Sequence, residues 1–401
     1  MLLWMALVCL APWLFPSSAA RTLLGQMGIA ILICQSYQLL LGQGGMLSFG
    51  HAIYVGAGSF LAIHSLKWIG DGVGWLPVAL VPLLAGLAGL GLAALLGWIT
   101  TRRAGTPLAM ISLGLGELVW AAAVMWPQGS GGEGGLSANR VVGPPLLGFN
   151  LASPLQMYGL IAVYASAGTL LLAGFVRTPL GRLLNAVRDN AERVAFLGYD
   201  PHGVRYLAFM LSGFLAGVAG GLSALTFEIF TTDMLGAERS GSYLLFTVLG
   251  GSAWLLGPVL GGVLMVLSLS LLSAHSPAWL LYLGVLFMGV VMFVPGGLAP
   301  WLSGRLRAIA RPMPWPRRIS QGLRALALGC VGAGLVLGIE MSYHLPQLAV
   351  QGPVLKRFGW VVNVQTATPW LLCGLMVVGG CALAGWLQRR ESRTVQGKAS
   401  P

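Results

Sequence analysis

The chain has 401 residues, 56% of them hydrophobic and only 8% charged, with a formal net charge of +12 and a mean hydropathy of +0.81. That balance excludes a soluble domain and predicts an all-α fold, a polytopic membrane helix bundle. The positive charge does not mark a nucleic-acid surface, because the basic residues stand mainly in loops between apolar runs, where they set topology.

Fifty-nine glycines exceed what lipid-facing helices need; they suit helices that approach closely and helices broken around a pathway. Cys9, Cys34, Cys330, Cys373 and Cys381 all lie in apolar stretches without paired spacing, and the histidines form no i, i+4 pair, so no metal site is expected.

Met1 to Pro16 is apolar and is followed by small residues, as in a cleaved leader, but no positive charge precedes it, which favours a retained, short first span. Leu23 to Leu41 is a second span. After it comes GQGGMLSFGHAIYVGAGSF, with Gly42, Gly44, Gly45, Gly50, Gly56 and Gly58. Each glycine weakens a continuous helix by about 1 kcal/mol. Two readings stay open: an interruption or re-entrant turn near Gly44 and Gly45, covered by protein or lining a polar cavity, or a small-residue contact with a capped helix starting at Ser48.

Ala52 to Ile69 and Leu76 to Ile99 are the third and fourth spans, and Arg102 and Arg103 mark the end of the latter as cytoplasmic. Leu108 to Met125 is the fifth and contains Glu117. An intramembrane carboxylate costs about 2.5–3.5 kcal/mol at a helix centre, so Glu117 faces protein or water, bonded to a neighbouring helix or set along a solute path. The loop Pro127 to Asn150 holds GSGGEGGLS; no strand precedes it and no Gly-Lys-Ser/Thr follows, so it is not a nucleotide loop. Leu155 to Val176 is the sixth span.

Arg177 to Arg205 then carries eight charges in 29 residues, between two charge-free stretches. Leu180, Leu184, Val187, Ala191 and Val194 recur at helical spacing, with Arg182, Asn185, Asp189, Glu192 and Arg193 on other faces. One short amphipathic helix is predicted, ended by Gly198 and Pro201. It lies in the headgroups, or it is held at the membrane face as a docking surface for a soluble partner.

Tyr206 to Glu228 is the seventh span. Ser242 to Ser273 is too long for one span of about 20 residues. Its Gly250, Gly251, Gly257 and Pro258 divide it into a short crossing and a full helix. Pro277 to Val294 returns the chain. Arg305, Arg307, Arg311, Arg317, Arg318 and Arg324 follow without an acid, a positive-inside anchor or a binding site for anionic lipid. Leu326 to Met341 and Trp370 to Trp386 are further candidate spans, for about ten to twelve crossings in all.

Three runs carry a family resemblance. GRLLNAVRDNAERVAFLG, with Gly198 six positions after Glu192, resembles the cytoplasmic coupling loop of ABC-importer permeases. The run Gly44 or Gly45, Ser48, Gly50, His51, Ala52 and the run TRRAGTPLAMISLGLGELVW are similar to LivM-type permeases of the branched-chain amino acid importers. The match ends near MFVPGGLAP, which makes residues 1–300 a permease domain and 301–401 a C-terminal extension.

The resemblance implies a permease subunit of the bacterial inner membrane. Its cargo would be branched-chain or other hydrophobic amino acids delivered by a periplasmic binding protein, though urea and short-amide permeases are closely similar. Its partners would be a second, LivH-like permease and two ATP-binding subunits. No cofactor is bound by this chain on that reading, since ATP is hydrolysed on the partners. Arg182, Asn185, Arg188, Asp189, Glu192, Arg193 and Gly198 are the implied coupling residues. Gly44, Gly45, Ser48, Gly50, His51 and Glu117 are those implied in the pathway or its gating.

Two other classes fit less well. An intramembrane enzyme needs a cluster of nucleophile, base and anion-binding groups, whereas Glu117, Glu228 and His51 are far apart and have no partnered motif. An ion-coupled carrier shares the broken helices but has no ATPase to dock.

Overall fold

The computed structural model describes residues 8, 10–72, 76–143, 151–254, 257–294, 296–310, 315–347, 354–357 and 360–396. Among the described residues the chain is all-α apart from two short strand pairs. Among the described residues seven helices are long and apolar enough to cross a membrane, or eight if the bent pair Trp279–Phe293 and Leu298–Arg305 is one span.

Two compact units are present. The first comprises Met1–Leu267 and Phe287–Trp301 and the second Ser268–Leu286 and Leu302–Pro401. In the first, α1 (Ser18–Gln38) starts at Ser17, whose hydroxyl accepts from the Ala20 amide. It continues into a π-helical turn, Leu39–Gln43, and stops at Gly44. Gly45, at φ 64°, turns the chain out of the helix. The helix is thus interrupted at Gly44 and Gly45, and the next one, α2 (Ala52–Gly70), begins only after a turn in which Met46, Ser48, Gly50 and His51 are buried and Gly45 is exposed.

Helices α3 (Val81–Thr100), α4 (Thr106–Val124), α5 (Pro154–Arg177), α6 (Pro179–Asp189), α7 (Ala191–Phe196) and α8 (Pro201–Phe227) follow. The centre of the unit is α8, packed on α1, α2 and α3. Its glycines let backbones touch: a Cβ at Gly220 would overlap the Val55 carbonyl, and one at Gly217 the Ala85 carbonyl. Lipid offers no hydrophobic drive between helices, so such close packing is what holds them.

At the other end of α8, β1 (Leu136–Ser137) pairs antiparallel with β2 (Ile229–Phe230). The Arg140 guanidinium donates to the carbonyls of Leu151, Leu225 and Thr226, while its backbone N–H donates to Glu228. A cation on the last carbonyls of α8 satisfies groups the helix leaves unpaired. This ties the glycine-rich loop to the helix end.

Helices α9 (Ala237–Gly250) and α10 (Gly257–Val266) confirm that the long apolar stretch is broken. Gly251, at φ 110°, makes the turn. Beyond α10 lie α11 (Trp279–Phe293) and α12 (Leu298–Ala310).

The second unit contains α13 (Trp315–His344) and α14 (Ala367–Gln396), packed together, and the hairpin β3 (Val354–Arg357) and β4 (Trp360–Asn363). Buried Glu340 accepts from the Ser276 and Tyr282 hydroxyls. Beside it a cavity of about 390 Å³ is lined by Ser268, Leu272, Tyr282, Leu283, Leu286 and Val336. Of Arg305, Arg307, Arg311, Arg317, Arg318 and Arg324, Arg311 lies outside the described residues.

Candidate functional site: a helix break under a charged segment

The single amphipathic helix expected between Leu180 and Gly198 is two helices. Thr178 caps α6 by accepting from the Gly181 amide, with Pro179 in the first turn. Asn190 then leaves helical geometry at φ −160° and ψ 98°, and its side chain accepts from the Arg193 amide to start α7. A good N-cap residue outweighs the continuing period here. The break costs the pattern little, because Leu184, Val187 and Val194 stay buried on both sides of it.

Gly198 closes α7 at φ 87°, with its amide on the Ala195 carbonyl and the Tyr199 amide on that of Val194. This is the paired bonding of a Schellman end. Asp200 then caps α8, its two carboxylate oxygens accepting from the amides of His202 and Gly203.

The side chains of this segment divide into two groups. Arg182, Asp189, Glu192 and Arg193 are exposed. Arg188, its side chain also 40% exposed, reaches the break: it pairs with Asp189 at 3.1 Å and donates from Nη1 to the Gly42 carbonyl at 2.5 Å. Asn185 donates to Gln43 Oε1 at 2.9 Å. Leu184 lies against Gly44, and a Cβ at Gly45 would stand 2.6 Å from Arg188 Cγ. So the charged segment from Thr178 to Asp200 sits directly on the glycine break.

An exposed apolar tip escaped the sequence reading. Phe196 is 90% exposed, Leu197 70% and Tyr199 52%. These three neighbouring apolar side chains are left uncovered by the rest of the chain. The available signal was that Phe196 and Leu197 fall off the buried period set by Val187 and Val194.

The rest of the break is interior. His51 Nε2 is 2.9 Å from Ser36 Oγ, and its ring meets Tyr37 and Tyr54 edge-on. Tyr37 donates to the Ser48 carbonyl at 2.6 Å. Ser112 accepts from the Phe49 amide and Ser240 from that of Ala52. Ser48 Oγ and His51 Nδ1 are buried and make no hydrogen bond among the described residues. Gly50 touches Gly116, which brings α4 against the turn. Glu117, next in sequence, is part-buried on α4.

Three helix breaks meet at this place. A Cβ at Gly42 would overlap the Ser252 carbonyl, to which the Gln38 amide also donates at 3.2 Å. One residue earlier, Gly251 faces the third break, where a Cβ would stand 2.7 Å from the Gly296 carbonyl.

Residues 20–295 match the family described as branched-chain amino acid transport system / permease component. The chain belongs to this permease family. It is similar to the high-affinity branched-chain amino acid transport system permease protein LivM of Escherichia coli (strain K12), 26% identical over 70% of this chain and 68% of that protein. LivH of the same strain is 27% identical over 61% of this chain and 82% of its own length. The autoinducer 2 import system permease protein LsrC of Enterobacter sp. (strain 638) is 30% identical over 50% and 56%. No solved structure matches this permease. The permease is thus a multi-pass membrane protein and a component of transport systems rather than an enzyme.

Proposed function

We propose that this chain is the permease subunit of an ABC importer that passes branched-chain or other hydrophobic amino acids across a bacterial inner membrane. The observation that carries the reading is the coupling segment, with an exposed apolar and charged outer side and an inner side seated on the break at Gly42 to Gly45. Such a segment gives a soluble partner area through its apolar groups and register through its charges.

The partners on this reading are a second, LivH-like permease, two ATP-binding subunits that hydrolyse ATP, and a periplasmic solute-binding protein. Arg182, Asp189, Glu192, Arg193 and the Phe196 tip face the ATP-binding subunits. Gly44, Gly45, Ser48, Gly50, His51 and Glu117 belong to the pathway wall or its gate. Residues 1–300 form the permease domain and 301–401 an extension whose arginines anchor it at the cytoplasmic face.

Arg102, Arg103 and the coupling segment are cytoplasmic, and the loop around Ser137 is external. Single cysteines at the exposed positions Ser137 and Glu192 are expected to take a membrane-impermeant maleimide from opposite sides; labelling from one side refutes the orientation. For the cargo, proteoliposomes containing the full complex are expected to accumulate leucine upon ATP addition. Uptake of urea or acetamide instead would move the assignment to the amide permeases.

A further inference from the structure

We propose that Arg188 is a positioning residue that joins the coupling segment and three helix breaks into one body, so that a displacement of α6 reaches the breaks undiminished. The proposal rests on the permease reading above and assigns Arg188 a task different from docking.

The Gly42 carbonyl belongs to the π-helical end of α1, and the last carbonyls of a helix have no partner within it. Arg188 supplies one, as a cation where the helix end favours positive charge. Asn185 on Gln43 adds a second bond 142 residues apart in sequence. On its far side Gly42 lies against the Ser252 backbone, and Gly251 against Gly296 and Gly297. These are contacts of backbone on backbone. Among the described residues the Gln38 side chain also bridges two of the breaks, its amide on the Ser252 carbonyl, and close-packed interiors transmit strain.

The link from α6 to α1 runs through side chains, and Arg188 is its charged member. The planar guanidinium holds Gly42 and Asp189 together, through Nη1 on one side and Nε and Nη2 on the other. An ammonium cannot reproduce that fork.

The test uses the complex with its ATP-binding subunits in proteoliposomes, and whichever of leucine, urea or acetamide the intact complex accumulates. Arg188→Ala is expected to keep normal recovery of the ATP-binding subunits and normal ATP hydrolysis, while uptake per ATP falls about tenfold, the scale of one charge-assisted hydrogen bond. Arg188→Lys should fall between. A disulfide between Gly44→Cys and Leu184→Cys offers an independent link, because a Cβ at Gly44 would stand 3.7 Å from Leu184 Cγ. With the exposed Cys330 and Cys381 replaced by serine, oxidation of this pair in the Arg188→Ala protein is expected to restore uptake per ATP, and reduction to remove it again.

Unchanged uptake per ATP in Arg188→Ala overturns the proposal. So does a disulfide that stops uptake while Arg188 is present, since the segment and the break would then have to separate in the cycle. Loss of the ATP-binding subunits from Arg188→Ala makes it a docking residue and overturns the clamp while leaving the permease reading intact. An intact complex that accumulates none of the three solutes refutes the permease reading itself.

Discussion

Gly45→Val is expected to abolish most solute uptake while the protein still inserts and still recovers its ATP-binding subunits. Gly45 has φ 64°, which costs an L-residue about 1–2 kcal/mol and a β-branched one more. Space is the larger difficulty. The added Cβ would stand 2.6 Å from Arg188 Cγ and 3.6 Å from its Cβ, so the valine methyls must push the arginine off Gly42. Gly72→Val is the matched control: its φ is 76°, but nothing lies within 4 Å of the new Cβ. Equal uptake by the two variants would mean that backbone strain alone, and not contact with the coupling segment, governs the break.

Phe196→Asp combined with Leu197→Asp is expected to release the ATP-binding subunits. Burying a large apolar side chain contributes about 1.5–3 kcal/mol, and two such anchors lost together correspond to a fall in association of about 100-fold or more. Both side chains are largely in solvent, at 90% and 70% exposure, so the permease itself loses little packing. Glu192→Lys, on the same exposed side, is expected to act more weakly, chiefly on association rate and its salt dependence. Recovery of the ATP-binding subunits with affinity-purified permease measures both. Normal recovery by the double variant would assign the apolar tip to the lipid headgroups instead.

Much of the architecture was legible in the sequence because its cause is local. A span needs a run of apolar residues and nothing else, so α1, α2, α3, α4, α5 and α8 lie where hydropathy predicts them. The caps at Thr178 and Asp200 and the left-handed turn at Gly198 likewise depend on residues within one helical turn. The split at Asn190 had the same kind of local signal, but the unbroken apolar period across it pointed to one helix.

What only the tertiary structure decided is which elements meet. Periodicity shows that Leu184 and Val187 share a buried face; it does not name what covers them. The sequence places the charged segment and the glycine break about 140 residues apart and gives each its own reading, whereas Asn185 bonds to Gln43 and Arg188 to Gly42. The same holds for Gly42, which lies against the Ser252 backbone, and for Gly251, which lies against Gly296 and Gly297, punctuation marks far apart in the chain that meet backbone to backbone. A glycine announces that something comes close, but the neighbour is chosen by how the helices pack, and a short-range pattern contains no term for that.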